Sequence, residues 1–306
     1  MKVLITGSGG NLGKVLAPAL STKGHEPILL DYRKIDGTPY EFIQGDVTNS
    51  TFIRKATKNV DAIVHGAALH GIHLSKYTAD DFWNLNVTGT HNIYQAAIEN
   101  NVAKVVFCST MGVYGESISH QEGKYAAVTE DHALLPKDIY GLSKRLGENM
   151  AEYYYRTYGI KTISLRLGMF VPENFIRYGF RLIKGGVDDR DVASAFILAL
   201  ENENIGLDAF NIMSDVPYSC EDETELFSNP RKVIEKYYPG ANEIFTEKGI
   251  NVEEILSIWG NTYWPIHKAK EVLGFQPEYN FEGFLKALKK DDLDYYPFAD
   301  LPWWGV

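Results

Sequence analysis

The sequence predicts an α/β fold: a Rossmann-type doubly wound parallel sheet with a smaller, interleaved C-terminal lobe. Three observations carry this expectation. Apolar runs alternate with helix-length segments, glycines follow the first run, and an aspartate closes the second. The runs "KVLIT", "EPILLD", "DAIVHGAA" and "KVVFCS" are continuously apolar through their middles rather than alternating, as strands covered on both faces of a parallel sheet should be. Between them the pattern predicts helices near Asn11 to Lys23, near Ala79 to Asn100 and from Tyr140 to Tyr158. The last of these meets Gly159, a residue suited to a left-handed helix terminus. "KTISLRL" supplies a further strand. A helix from Asp189 to Glu201 and the strand-like "AFNIM" return to the sheet, whereas the polar, proline-containing chain from Asp215 onward reads as an appended lobe. Residues 1–166, completed by about 189–214, are therefore expected to form the sheet unit, and 167–188 with 215–306 the lobe and tail.

Composition narrows the function. The chain has 306 residues, 45% hydrophobic and 23% charged, which is ordinary globular material. Its formal net charge is -10 and it has no basic run, so binding to nucleic acid or an anionic membrane by counterion release is not expected. Two cysteines, Cys108 and Cys220, form neither a disulfide framework nor a metal-ligand spacing. No signal-peptide pattern opens the sequence and no apolar run reaches membrane-spanning length, so a soluble, cytoplasmic protein is expected.

In "VLITGSGGNLGKVL", Gly7, Gly10 and Gly13 lie between a strand and a helix that opens with Asn11 and Leu12. Glycines there permit a tight turn and let the backbone approach a pyrophosphate at the helix N-terminus. A plain strand–turn–helix would use the same residues. What favours a dinucleotide is Asp31, at the end of the next strand and about 20 residues past the glycines, where a carboxylate bonds both ribose hydroxyls. Asp31 would repel a 2′-phosphate, which favours NAD over NADP; Arg33, two residues on, is the group that would accommodate one.

Further motifs follow: "GDV" with Asp46 and Val47, "HGAA" with Ala67 and Ala68, "NVTGT" with Asn86, "STMGVYG" with Thr110, and "YGLSK" with Tyr140 and Lys144. Together with the glycine turn they make the chain resemble the extended short-chain dehydrogenase/reductase family, in its NAD-dependent epimerase/dehydratase branch. The resemblance implies that Tyr140 is the catalytic acid/base, Lys144 its partner and Thr110 the catalytic hydroxyl. It also implies that Asp46, Val47, Ala67, Ala68 and Asn86 serve the cofactor, and that a homodimer forms through the helices near Asp81 to Asn100 and Tyr140 to Tyr158. Elementary chemistry agrees with the catalytic roles. A free phenol titrates near pH ~10 and is a poor base at neutral pH, but an ammonium four residues along the same helix face favours its ionised form.

The family acts largely on sugars, and the segment after "LRLGMFVPEN" bears on which. Nucleotide-sugar epimerases insert a long segment before the turn matching Val187-Asp188-Asp189, whereas this chain reaches it soon after Gly168. That compact layout is similar to uronate dehydrogenases of the same family, while "STMGVYG" is closer to the epimerase version of its motif. Both outcomes stay open, as does a non-catalytic NAD-binding sensor. Candidate substrate contacts are His70, Ser75, Thr110, Arg177 and Arg181, the arginines as two-point clamps for a carboxylate or phosphate. His65, His70 and His73 lack partners at ligand spacing, so no metal is expected; His70 or His73 is expected near the cleft. The aromatic tail "YYPFADLPWWGV" is expected to pack on its own lobe or on a neighbouring subunit.

Overall fold

A computed structural model describes residues 1–118 and 123–300. Seven parallel strands form one sheet in the order β3-β2-β1-β4-β5-β7-β8: β1 (Lys2–Thr6), β2 (Glu26–Asp31), β3 (Glu41–Gln44), β4 (Ala62–His65), β5 (Lys104–Thr110), β7 (Lys161–Leu167) and β8 (Leu207–Ile212). The chain winds outward from β1 to β3, then restarts at β4 on the other side, so the direction of winding reverses between β1 and β4. Ligands of open α/β sheets bind at the carboxyl ends of strands beside such a reversal.

Helices cover both faces. α1 (Asn11–Thr22) and α7 (Asp189–Glu201) pack together on one face, where Leu16, Leu20, Ala195 and Phe196 meet Val3, Ile5, Val64 and Leu165. α2 (Ser50–Ala56), α4 (Gly89–Glu99) and α5 (Ile139–Tyr158) cover the other, where Ile93, Ala97 and Ala151 meet Leu4, Ile63 and Val105. Tyr94 and Tyr154 stack there with centroids 4.8 Å apart, tying α4 to α5. The continuous apolar strands follow from this double cover, because neither sheet face has solvent to meet.

A second core lies beyond the carboxyl edge of the sheet. α6 (Phe175–Leu182), α8 (Glu223–Ser228), α9 (Pro230–Tyr237), α10 (Ala241–Glu247), α11 (Val252–Leu256) and α12 (Phe281–Lys290) contribute a cluster that includes Phe180, Phe245, Phe281 and Phe284. Side-chain caps set several helix starts: Asn174 accepts from the Arg177 N–H, Asp188 from Arg190 and Asn280 from Gly283. The first half of the chain also enters this region. β6 (Ala126–Ala127) pairs in parallel with β9 (Thr262–Tyr263), and the Tyr125 N–H donates to the Glu223 carbonyl at 2.9 Å.

Several details depart from the expectations. The helix expected near Ala79 to Asn100 is α3 (Ala79–Phe82) and α4 joined by a π-helical stretch, Trp83–Thr88. β3 and α2 carried no periodic signal strong enough to be expected. In the tail, Tyr296 stacks on Tyr178 with centroids 3.8 Å apart, so that part packs on the chain's own lobe; Leu301 to Val306 lie outside the described residues.

Candidate active site

A cleft of about 380 Å³ runs along the carboxyl ends of β2, β1, β4, β5 and β7. At its centre is the glycine turn. Gly7 has φ +71°, and a Cβ there would sit 2.7 Å from the backbone of Ala67, so only glycine lets the β1 and β4 ends approach this closely. Gly10, Asn11 and Leu12 continue the wall at the start of α1, whose N-terminus receives no side-chain cap. Gly13 lies behind the wall, in backbone contact with Ser8. The buried Asn11 Oδ1 and Ser8 Oγ have no hydrogen-bond partner within the protein. Uncapped N–H groups at a helix N-terminus and unpaired polar atoms beside it fit an incoming pyrophosphate.

The adenosine end is built from β2 and β3. The buried Asp31 carboxylate faces the cleft and is oriented by two backbone donors, Gly9 N–H on Oδ2 and Arg33 N–H on Oδ1, each at 2.9 Å. Arg33 Nε lies 3.8 Å from the same carboxylate, and Asp46 and Val47 line the wall opposite. Ala67 and Ala68 line it between the two ends. Asn86 is off the wall: its amide clamps the Leu69 backbone, accepting from Leu69 N–H at 2.7 Å and donating to Leu69 O at 2.9 Å, and it also donates to Ser143 Oγ. The side chain therefore holds the β4 segment against α5.

The other end of the cleft carries Thr110, Tyr140 and Lys144, all buried. Asp138 caps α5 by accepting from the Gly141 N–H at 2.7 Å, which fixes where the helix begins and hence where Tyr140 points. Close approach of α5 to β5 depends on Gly141 and Gly147, because a Cβ at the first would lie 2.7 Å from Gly112 O and at the second 2.3 Å from the Phe107 ring. That approach brings Lys144 Nζ within 2.7 Å of the Cys108 carbonyl, to which it donates, and 5.1 Å from the Phe107 ring centre. Thr110 Oγ1 accepts from the Gly112 N–H at 3.1 Å, and its hydroxyl favours the ionised form of the Tyr140 phenol.

Burial dominates the titration of this end. It pushes the Tyr140 phenol well above its ordinary range, and the Thr110 hydroxyl pulls the other way. Burial likewise pushes Lys144 down. The expected phenolate-stabilising role of Lys144 is thus not its contact here, since its ammonium is turned to the β5 backbone. His70 opens onto the cleft with its ring centre 4.8 Å from that of Tyr140, and lost solvation there, then Lys144 and His73, pushes it down to about 4. His73 also lines the cleft, and its Nδ1 accepts from the His70 N–H at 2.8 Å. His65 stands apart, bridging Thr6 and Thr90 inside the sheet. Among the described residues, no three His, Cys, Asp or Glu side chains come together as a metal site.

The remaining expected substrate contacts are elsewhere. Ser75 and Arg177 are exposed and off the wall. Arg181 is a correction to the expected clamp: fully buried behind the wall, its Nη1 donates to Val171 O and to Glu173 at 3.2 Å, and Nη2 lies 4.0 Å from Asp189. The wall instead includes Ile72, Tyr77, Met111 of the "STMGVYG" motif and the Met169 to Pro172 loop. The only sequence signal of the Met169 to Pro172 loop was its position just after a strand end.

This fold and this constellation define a dinucleotide-dependent oxidoreductase of the Rossmann class. The sequence profile of the NAD dependent epimerase/dehydratase family matches residues 3–177, more than half of the chain, and the chain belongs to that family. NAD is its cofactor. It is 28% identical over 240 residues to the uronate dehydrogenase of Pseudomonas syringae pv. tomato, a match spanning 74% of this chain and 84% of that one. To the L-arabinose 1-dehydrogenase (NAD(P)(+)) of Haloferax volcanii it is 27% identical over 189 residues, spanning 58% of this chain and 70% of that one. The crystal structure of UDP-N-acetylglucosamine 4-epimerase from Bacillus cereus superposes with a TM-score of 0.67 at 26% identity, covering 95% of this chain and 98% of that one.

Proposed function

We propose that the protein is an NAD-dependent dehydrogenase that oxidises a secondary alcohol or hemiacetal of a free sugar or sugar derivative. The observation that carries the reading is the meeting of Thr110, Tyr140 and Lys144 at one end of a cleft whose other end holds Asp31, with only α6 between β7 and the Asp188 cap. So short a connection leaves little chain to wrap a nucleotide. Bound NAD supplies the hydride acceptor. The Thr110 hydroxyl holds the reacting oxygen, Tyr140 receives its proton, and Lys144 holds positive charge beside them. The Asn86 clamp and the Asp138 cap keep these groups in register.

The sugar dehydrogenases among the relatives support this reading. A second, 4-epimerase reading draws support from the likeness to the Bacillus cereus enzyme along nearly the whole chain. The cytoplasm suits two cysteines without a disulfide partner, and among the described residues no helix is long and apolar enough to cross a membrane. For assembly we favour a homodimer through α4 and α5, on whose surface Tyr153, Tyr155 and Tyr158 are exposed.

The deciding experiment follows NADH absorbance while purified protein and NAD are mixed with free aldoses, uronic acids or nucleotide sugars. Accumulating NADH with a free sugar is the expected result. Interconversion of nucleotide sugars without net NADH would replace the dehydrogenase with the epimerase.

A further inference from the structure

The cleft's two ends differ in charge. Arg33 stands at the adenosine end, two residues past β2, which is separated from β5 by β1 and β4, three strand spacings or roughly 14 Å. At the reacting end the lining is Tyr140, Thr110, Lys144, two imidazoles and a set of apolar side chains that includes Met111, Met169 and Phe170. Lys144 is the single cation there among the described residues, and it is turned to the Cys108 carbonyl.

The arginines and lysines of the segments that flank the reacting end lie off the wall. Arg177 is exposed on α6, away from the wall. Arg181 is sealed behind the wall between Glu173 and Asp189. Lys184 is buried in the lobe, donating to Tyr125 Oη at 2.6 Å. Lys76 is exposed at the rim, its ammonium 5.8 Å from the Tyr77 ring centre. Residues 119–122 and 301–306 contain no lysine or arginine. Nor does His70 substitute: it opens onto the cleft, where lost solvation and the Lys144 ammonium beside it keep its imidazole neutral at pH 7. A neutral imidazole is instead well suited to hydroxyl groups: His70 Nδ1 accepts from the Ile72 N–H at 3.4 Å, which leaves Nε2–H as a donor beside the Tyr140 ring.

A carboxylate or phosphate brought to this end would lose its hydration with no guanidinium or ammonium of the described wall turned toward it, and that loss is costly. We infer that the part of the substrate seated at the reacting end is uncharged: the enzyme takes a neutral sugar, held through its hydroxyls, in preference to a uronate, a sugar phosphate or a nucleotide sugar. This rests on the free-sugar dehydrogenase reading and narrows it.

The test compares kcat/KM with NAD for an aldohexose, the matching hexuronate and the matching hexose 6-phosphate, at constant ionic strength, across several sugar configurations. Thermal shifts of the protein with NADH and each sugar, and with UDP-sugars, are measured alongside. The neutral member of each active series should lead its anionic counterparts by at least about tenfold, the discrimination expected when a buried charge is left unpaired. A uronate or phosphate equal to or better than its neutral partner would overturn this inference while leaving the dehydrogenase intact. Stabilisation and turnover confined to UDP-sugars would overturn both.

Discussion

Thr110→Val isolates the hydroxyl on which the proposed chemistry turns. Valine keeps the β-branched shape, and the extended backbone at this position (φ -151°, ψ 149°) suits it, so the strand end is preserved. The hydroxyl has two partners with separable effects. The Gly112 N–H, which it accepts at 3.1 Å, loses a cap worth about 1 kcal/mol, so the melting temperature should fall by only a few degrees. The Tyr140 phenol loses the hydroxyl that opposes the effect of its burial, and the reacting oxygen loses a preorganised donor, which costs roughly 10²–10³ in kcat. The sign in pH follows. In the oxidative direction Tyr140 acts in its ionised form, Thr110 favours that form, and the variant therefore moves the rising limb of kcat/KM to higher pH. Steady-state kinetics over pH, with NADH binding measured by fluorescence as a control, give the answer. A kcat within about threefold of the parent and an unmoved limb, with NADH still bound, would refute the assignment.

The buried Arg181 is expected to act on stability rather than on substrate. Arg181→Met strands Glu173 and Asp189 and should cost about 3–5 kcal/mol in urea unfolding, whereas Arg177→Ala should stay within about 0.5 kcal/mol; a raised KM at unchanged stability for Arg181→Met would return it to the substrate. Asp31→Ala removes the acceptor of the Gly9 and Arg33 N–H groups, and titration should show NAD binding weakened by about tenfold or more with the NADP/NAD ratio rising; unchanged preference would contradict its placement at the ribose. Although burial disfavours its charge, hydrogen bonds from Lys236, Ser219 and Tyr237 hold Asp222 down to about 2. Its folded value is below its unfolded one, so its contribution is present above about pH 4 and disappears as pH falls toward 2. Asp222→Asn should therefore lose stability at pH 6 and converge on the parent near pH 2, as urea midpoints would reveal; a difference constant over that range would exclude the carboxylate as its source.

The cofactor half was legible because its signals are local. The glycine turn, Asp31 at a strand end and the Tyr140–Lys144 spacing each lie within one strand or one helical turn, where backbone geometry alone dictates proximity. The substrate wall was legible only in part: Thr110, His70 and His73 were expected at the cleft and line it, whereas Tyr77 and the Met169 to Pro172 loop were not expected. It gathers His70, Tyr77, Met111 and Phe170 from the ends of three different strands, and only tertiary packing sets them face to face. Arg181 shows the same limit from the other side: a guanidinium in sequence promises a clamp, but Glu173, eight positions earlier, and Asp189, eight later, had already engaged it. β3 escaped notice because an edge strand reading "EFIQ" is polar at both ends and only half-buried between them. Asn86 was assigned to the cofactor by resemblance, yet its observed contacts are with the Leu69 backbone and Ser143.

The pairing of β6 with β9 has a consequence for biosynthesis. Val128 N–H donates to the Tyr263 carbonyl at 2.9 Å and Ala126 N–H to that of Asn261 at 3.0 Å, so the segment that follows β5 acquires these partners only after β8, the last sheet strand, has been made. On the ribosome, all seven sheet strands will have emerged while this segment still waits, its tyrosine and alanines uncovered. The cofactor cradle is thus the early product of translation and the lobe beside it the late one. A chain released after β8 would carry every residue that the sheet contributes to the cradle, but would leave an unpaired strand beside it, a natural point of attack for proteases and chaperones.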